Sequence, residues 1–316
     1  MRKKGSNPFT NSDSNKRYYT FDYFLRNKFG CKVFKAPIDA GFTCPNIDGK
    51  CSVGGCTYCS GRGSGDFAPP PTLSVAEQYE ISAALMRKKW KDSKGIVYFQ
   101  AHTNTYAPIE KLRSVYNEAL GIEDAVGISI ATRADCIDSE VAELLHELSE
   151  KTFLTVELGL QTVHDSTAER INRGHDYETF LKGYERVKDL FTCIHIINGL
   201  PGEDKEMMME TARKVARLHP NMLKIHLLHV LKNTQIEKEY ERGLFDTLSL
   251  EEYVDITVSQ IEIMPSDVIL GRVTGDGERE SLVAPLWSLK KLSVMNEIDK
   301  EFVKRESFQG KFGEFF

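Results

Sequence analysis

KVFKAPIDAGFTCPNIDGKCSVGGCTYCSGRGSG, residues 32–65, reads as a strand running straight into a glycine-rich loop that carries Cys44, Cys51, Cys56 and Cys59. Thiolates crowded on so flexible a loop repel one another and oxidise readily, so the spacing points to a soft cation or an iron–sulfur cluster that holds them together. Pro69, Pro70 and Pro71 close the loop. A helix is predicted from about Ser74 to Trp90, opened by a capping box of Ser74 and Glu77.

From that first strand and helix, short apolar runs alternate with amphipathic segments. GIVYFQA is followed by a helix near Ile109 to Leu120, AVGISIA by one from Ser139 to Leu148, and TFLTVELGL by helical pieces through Asp189. TCIHIINGL leads to a helix from Lys205 to Leu218 and then to MLKIHLLHV. Six consecutive βα units with short connections predict an α/β fold with a parallel sheet. They fit a partial TIM barrel, (β/α)6, better than a doubly wound sheet with its chain reversal. In a barrel the working face lies at the carboxyl ends of the strands, and the cysteine loop follows the first strand, so the two readings agree. The expected organisation is a polar leader and first helix over 1–30, a core over 31–235, and a mainly helical extension over 236–316. The extension contains LSLEEYVDITVSQIEI and PLWSLKKLSVMNEIDKEFVKR, separated by SDVILGRVTGDGERE. The aromatics of the final QGKFGEFF are left open between docked and loose.

With 41 Lys and Arg against 46 Asp and Glu the net charge is −5, which argues against a generally basic nucleic-acid coat. Local basic groups remain: Arg2, Lys3, Lys4, Lys16 and Arg17 at one end, and Lys290, Lys291, Lys300, Lys304 and Arg305 near the other. No apolar stretch backs the early positive charge, and no segment approaches eighteen uninterrupted apolar residues, so neither secretion nor a membrane span is expected. The seven cysteines are an odd number, four of them crowded together, which favours a reducing compartment, hence a cytoplasmic location. Cys31, Cys136 and Cys193 read as isolated packed thiols.

Three metal assignments compete on the residues alone. Cys51, Cys56 and Cys59 reproduce the C-x4-C-x2-C part of a plant-type ferredoxin, with Cys136 or Cys193 as a distant fourth ligand. All four loop cysteines could close a zinc tetrahedron, which would make the chain a zinc-stapled, non-catalytic RNA-binding protein. Three cysteines could instead hold a [4Fe–4S] cluster whose fourth iron stays open.

The run APIDAGFTCPNIDGKCSVGGCTYCS resembles the cluster loop of radical S-adenosylmethionine (radical SAM) enzymes of the Elongator-catalytic-subunit type. More closely, the chain resembles the YtqA/YhcC group of that superfamily. YFQAHTNTYAP, ATRADCI, VELGLQT, NRGHD, HIINGLPGE, KIHLLHVLKNT, RVTGDGERE and APLWSLKK carry the resemblance along most of the length. Two departures stand out: eleven residues separate Cys44 from Cys56 where C-x3-C-x2-C is commonest, and Cys51 is surplus. The resemblance implies a [4Fe–4S] cluster on Cys44, Cys56 and Cys59, with S-adenosylmethionine as cosubstrate. At the second strand end Thr103 and Asn104 stand where the family has a Gly-Gly-Glu motif that this chain lacks, and they take over the methionine amino group. Ser129, Thr132 and Arg133 fall to its carboxylate, Glu157 and Gln161 to the ribose, and Asn198, Gly199 and Leu200 to the adenine.

On the sixth strand His226 and His229 should point to opposite faces if the strand is regular, leaving at most one in the barrel. Gly275, Asp276, Gly277 and Glu278 could cover the mouth, with Arg272 and Arg279 meeting an anionic substrate. The resemblance further implies transfer RNA as substrate, at the C5 side chain of the wobble uridine. In particular it implies conversion of 5-carboxymethylaminomethyluridine toward 5-aminomethyluridine. A flavodoxin- or ferredoxin-type protein would donate the electron, and no acetyltransferase domain is expected after the barrel. A small-molecule substrate is the enzymatic alternative.

Overall fold

In strand β1 (Val33–Ile38) every second residue is apolar and turned outward: Phe34, Ala36 and Ile38 are buried in the main hydrophobic core. The computed structural model describes residues 7–65, 67–275, 277 and 279–313. The same outward face recurs as Leu154, Val156, Leu158 and Leu160 on β4 (Phe153–Gln161), and as Leu223, Ile225 and Leu227 on β6 (Met222–Leu227). Burying such a side chain contributes about 1.5–3 kcal/mol, and the repeated stripe is what fastens the helical layer to the sheet.

Between these lie β2 (Lys94–Phe99), β3 (Ala125–Thr132) and β5 (Thr192–Asn198). Helix α1 (Phe21–Phe29) precedes the sheet. Helices α2 (Val75–Arg87), α3 (Ile109–Leu120), α4 (Ser139–Ser149), the pair α5 (Asp165–Arg170) and α6 (Tyr177–Glu185), and α7 (Lys205–Leu218) follow successive strands. The capping box expected at Ser74 and Glu77 is present, with the Glu77 amide donating to Ser74 Oγ at 3.2 Å.

Beyond a two-residue strand β7 (Val230–Leu231), helices α8 (Gln235–Glu241) and α9 (Leu250–Ile263) bring the chain back to the sheet. There β8 (Ile269–Arg272), inside the segment read as a connector, adds a seventh strand parallel to β6. The order is β1-β2-β3-β4-β5-β6-β8, parallel throughout. The sheet is curled. In a flat sheet β1 and β6 would stand about 24 Å apart, yet Lys35 of β1 and Lys224 of β6 both bond to the Glu157 carboxylate of β4. β9 (Leu282–Ala284) pairs antiparallel with β7, and α10 (Lys291–Lys304) packs on α9.

The amino end of the half-barrel is plugged. Phe21, Phe24 and Phe29 of α1 pack against Phe153 and Phe191, with ring centroids 5.4 Å apart for Phe24 and Phe191. Gln309 ties the termini to this end: its amide donates to the Pro265 and Val268 carbonyls at 2.6 and 2.7 Å and accepts from the Tyr19 amide at 2.8 Å. The backbone of residues 309–313 is therefore docked, with the Phe312 amide on the Glu262 carbonyl, but the Phe312 side chain is exposed; Phe315 and Phe316 lie outside the described residues. No helix among the described residues is long and apolar enough to cross a membrane.

Candidate functional site

The curl leaves a cavity of about 770 Å³, floored in part by Phe21 and roofed by the cysteine loop. Cys44, Cys56 and Cys59 line it; Cys51 does not. The loop is shaped by its own turns and by the segment Asn172–His175. The Cys59 amide donates to the Cys56 carbonyl at 3.0 Å, and the Asp48 amide to the Cys44 carbonyl at 3.2 Å. Asn172 clamps the loop from below, donating to the Gly55 carbonyl at 2.7 Å and accepting from Ser52 Oγ at 2.6 Å. Gly174, at φ +82°, lets that segment come close: a Cβ there would fall 2.1 Å from Asn46 Oδ1.

Around the three thiols the field is positive. A hydrogen bond from Cys59 brings the Cys56 thiol down to about 7 against the effect of burial, with the Arg133 charge helping. That same bond, then burial and the Cys44 charge, push Cys59 well up. Asn46 Nδ2 donates to Cys56 Sγ at 3.5 Å, and buried Asn46 Oδ1 and Arg173 Nη2 are without a hydrogen-bond partner. Three soft donors beside two guanidinium groups, with the unpartnered Arg173 Nη2 on the same cavity, fit an anionic cluster and a zwitterionic cosubstrate. Cys51 is exposed and lines a second cavity of about 440 Å³, where its thiol lies 3.7 Å from Asp135 Oδ2 and Cys136 contributes to the same wall. The four-thiolate zinc arrangement is therefore not what this loop folds into.

Of the cosubstrate residues read from the sequence, Thr103, Thr132, Arg133, Glu157 and Gln161 line the large cavity. Arg133 already forks onto Asp135, Nε to Oδ1 at 2.9 Å and Nη2 to Oδ2 at 2.7 Å, and its Nη1 donates to the Arg173 carbonyl at 2.7 Å. Thr132 shares a 2.6 Å hydrogen bond with Thr105. Asn104 is buried in the strand-end turn, its amide donating to the Phe99 and Ala131 carbonyls at 3.1 and 2.8 Å. Ser129 donates to Glu157 Oε1 at 2.8 Å. Asn198 faces α9, where it exchanges two hydrogen bonds with the Gln260 amide at 2.9 and 2.8 Å; Gly199 and Leu200 also lie away from the cavity wall.

Both His226 and His229 line the cavity, which corrects the expectation that at most one could. β6 ends at Leu227, so the strict alternation of a strand does not reach His229. Of the late loop, Asp276 and Glu278 lie outside the described residues, while Gly275 and Arg272 belong to the cavity wall.

The most densely bonded part of the site is deeper. Glu157, fully buried, accepts from Tyr98 at 2.9 Å and from Ser129, is bridged by Lys35 and Lys224, and lies 2.9 Å from His195 Nε2. Both ammonium groups also sit over the Tyr98 ring, at 4.4 and 4.9 Å from its centroid. Burial works against the charge of Glu157, but Lys224, Lys35 and His195 hold its carboxyl well below the usual range. Burial lowers Lys35 to about 8 in spite of Glu157, and burial with the Lys224 charge lowers His195 to about 4. Lys35, Tyr98, His195 and Lys224 were not picked out from the sequence. The available signal was a polar residue at the alternate position of an otherwise apolar run, as in VFKAPI, GIVYF, CIHII and LKIHL.

Residues 47–215 match the model of the Radical SAM superfamily and residues 220–304 that of the Radical_SAM C-terminal domain. YtqA of Bacillus subtilis is 50% identical over 309 residues, covering 97% of this chain and 96% of that protein. YhcC of Escherichia coli is 35% identical over 289 residues, 90% and 92% of the two chains. The tRNA uridine(34) acetyltransferase of Methanocaldococcus jannaschii is 30% identical over 157 residues, 48% of this chain and 28% of that one. Among solved structures, Methanocaldococcus infernus Elp3 with an N-terminal deletion superposes with a TM-score of 0.66 at 20% identity, covering 88% of this chain and 64% of the other.

Proposed function

The chain belongs to the radical SAM superfamily, with YtqA and YhcC as near full-length relatives, and uses a [4Fe–4S] cluster and S-adenosylmethionine; from this we propose that it modifies transfer RNA at the wobble uridine. When bound, the cluster and S-adenosylmethionine supply a 5′-deoxyadenosyl radical that takes a hydrogen atom from the substrate. In our reading Cys44, Cys56 and Cys59 hold the cluster, and the observation that carries this is their convergence on one cavity from which Cys51 is absent.

Thr103, Thr132 and Arg133, on the cavity wall at the strand ends, orient the methionine portion, and Gln161 the ribose. Because Arg133 is braced by Asp135, its charge is held in place beside the thiols before anything binds. Phe21 and its aromatic neighbours close the amino end of the cavity, so water is displaced toward the strand ends as the site fills.

The substrate reading is supported by the 30% identity shared with a tRNA uridine(34) acetyltransferase over 157 residues. We assign the C5 side chain of the wobble uridine, with 5-carboxymethylaminomethyluridine converted toward 5-aminomethyluridine and a flavodoxin- or ferredoxin-type protein donating the electron. Anaerobically reconstituted protein should form 5′-deoxyadenosine from S-adenosylmethionine and dithionite. Nucleoside mass spectrometry of tRNA from a deletion strain should show the carboxymethylated nucleoside accumulating; unchanged wobble uridines reject the tRNA assignment.

A further inference from the structure

Five cationic side chains line the large cavity, Lys35, Arg133, Arg173, Lys224 and Arg272, and of these Arg133 is paired with Asp135 behind the wall. They fall into two tiers. Arg133 and Arg173 stand beside the cysteines, within the electrostatic reach of Cys56. Lys35 lies three residues inside β1, which puts it about 10 Å below the carboxyl end of that strand. Lys224 is in register with His195 on one side and Arg272 on the other.

Lys35 and Lys224 together carry two positive charges against the one negative charge of Glu157 that they share. Each lysine ammonium has three N–H donors. Lys35 spends its donors on Glu157 and, at 3.0 Å, on Ser129 Oγ; Lys224 spends one on Glu157 and directs another toward Tyr98 OH at 3.4 Å. His226 Nε2, on the same wall with its ring 5.1 Å from that of His195, has no hydrogen-bond partner. In the open cavity water can solvate the surplus cation. Once a substrate displaces that water the charge must be matched, because an uncompensated ion in a dry site is strongly unfavourable.

We propose that Lys35 and Lys224, with His226 and Arg272 beside them, form the subsite for a carboxylate carried by the substrate. The assignment rests on the radical SAM reading and gives the carboxymethyl group of the proposed nucleoside its anchor. A backbone phosphate does not suit the place: it is joined to chain on both sides, whereas the cavity floor is closed by α1 and admits only a dead-end group. The cosubstrate carboxylate is drawn instead to the upper tier, where the cysteines are.

The test is equilibrium binding of anticodon stem-loop RNAs that differ only in a carboxylate or its neutral amide on the wobble C5 side chain. It uses cluster-loaded protein with S-adenosylmethionine, as wild type, Lys224→Gln and Lys35→Gln. Wild type should prefer the carboxylate by roughly 10- to 100-fold, the range of a charged hydrogen bond, and each variant should lose most of that preference. Both variants should retain the iron content and S-adenosylmethionine affinity of wild type, which shows them folded. Equal affinity of wild type for the two RNAs overturns the subsite, as does a preference that survives both substitutions. A matching loss of S-adenosylmethionine affinity also overturns it, by assigning the lysines to the cosubstrate. If neither RNA binds, the tRNA reading fails by itself, and the same comparison with the two free nucleosides decides the subsite, no carboxylate preference counting against it.

Discussion

Replacing Glu157 with glutamine keeps the shape of the side chain and removes the one negative charge shared by Lys35, Lys224 and His195. Removing one partner of a buried pair costs about 3–5 kcal/mol, because the remaining charge stays buried. The Lys224 side chain is 6% exposed, but that of Lys35 is 19% exposed and can draw water from the cavity, which puts the loss at the lower end, about 3 kcal/mol. Total stabilities run about 5–15 kcal/mol, so the change is large enough to read by urea unfolding of the cluster-free protein, followed by circular dichroism.

The loss should also shrink between pH 7 and pH 9, and the sign follows from Lys35. Its folded pKa, about 8 in the presence of Glu157, falls further when that charge is gone, while the unfolded chain keeps its lysine protonated to above pH 10. Across that interval the unfolded state binds more protons, so raising the pH stabilises the folded state. The triple variant Lys35→Met, Glu157→Leu and Lys224→Met, which replaces both lysines and their shared carboxylate by apolar groups, should recover at least half of the loss. A single-variant loss below about 1 kcal/mol at pH 7 would refute the reasoning, since it would mean that the cavity solvates the lysines as bulk water does. Equal losses at the two pH values would refute the part assigned to Lys35.

Acid should destabilise the wild type before general acid unfolding. His195 has its folded pKa at about 4 against 6.5, so its share, about 3 kcal/mol, is present above pH 6.5 and lost as the pH falls toward 4. His195→Gln should flatten the dependence of the urea midpoint over that window. Gly174→Ala should impair cluster assembly, because its Cβ would meet Asn46 Oδ1 at 2.1 Å in a left-handed backbone position; reconstitution should yield less than half the wild-type iron, and a full complement would contradict this account of the loop. Cys51→Ser should keep the wild-type iron and sulfide content, whereas Cys56→Ser should lose most of both, as anaerobic metal analysis will show. Asn198→Ala should cost about 1–3 kcal/mol by stranding Gln260 Oε1, whose amide nitrogen keeps the Met208 carbonyl, yet leave S-adenosylmethionine affinity within twofold by calorimetry.

Much of the scaffold was legible because its signals are local. The period of apolar residues located strands β1 to β6 and helices α3 and α7 to their observed bounds or within a few residues, and the Ser74–Glu77 box is a contact between neighbours in sequence. β8 was not legible. Ile269–Arg272 is four residues long and sits among turn-forming residues, so only its pairing with β6 makes it a strand. The position of Cys51 is likewise a product of distant parts: Asn172 and Asn46, 126 residues apart, fold the loop so that its second cysteine faces Asp135.

The barrel interior shows why site residues divide as they do. Asn198 stands at the end of β5, and its parity turns its side chain outward, toward Gln260. Lys35, Lys224 and His195 lie mid-strand, where apolar packing is the default expectation of a closed barrel, and their parity turns them inward. Parity therefore decides more than position along the strand. Once the sheet is known to curl, each polar residue on the inward parity of β1, β4, β5 and β6 must meet the others across a short span, and a lone Glu157 among lysines becomes their common partner. A barrel packed for stability alone would place Val, Ile and Leu there. Filling the centre with ionic groups instead keeps it open and wet, ready for a polar substrate to take the place of water.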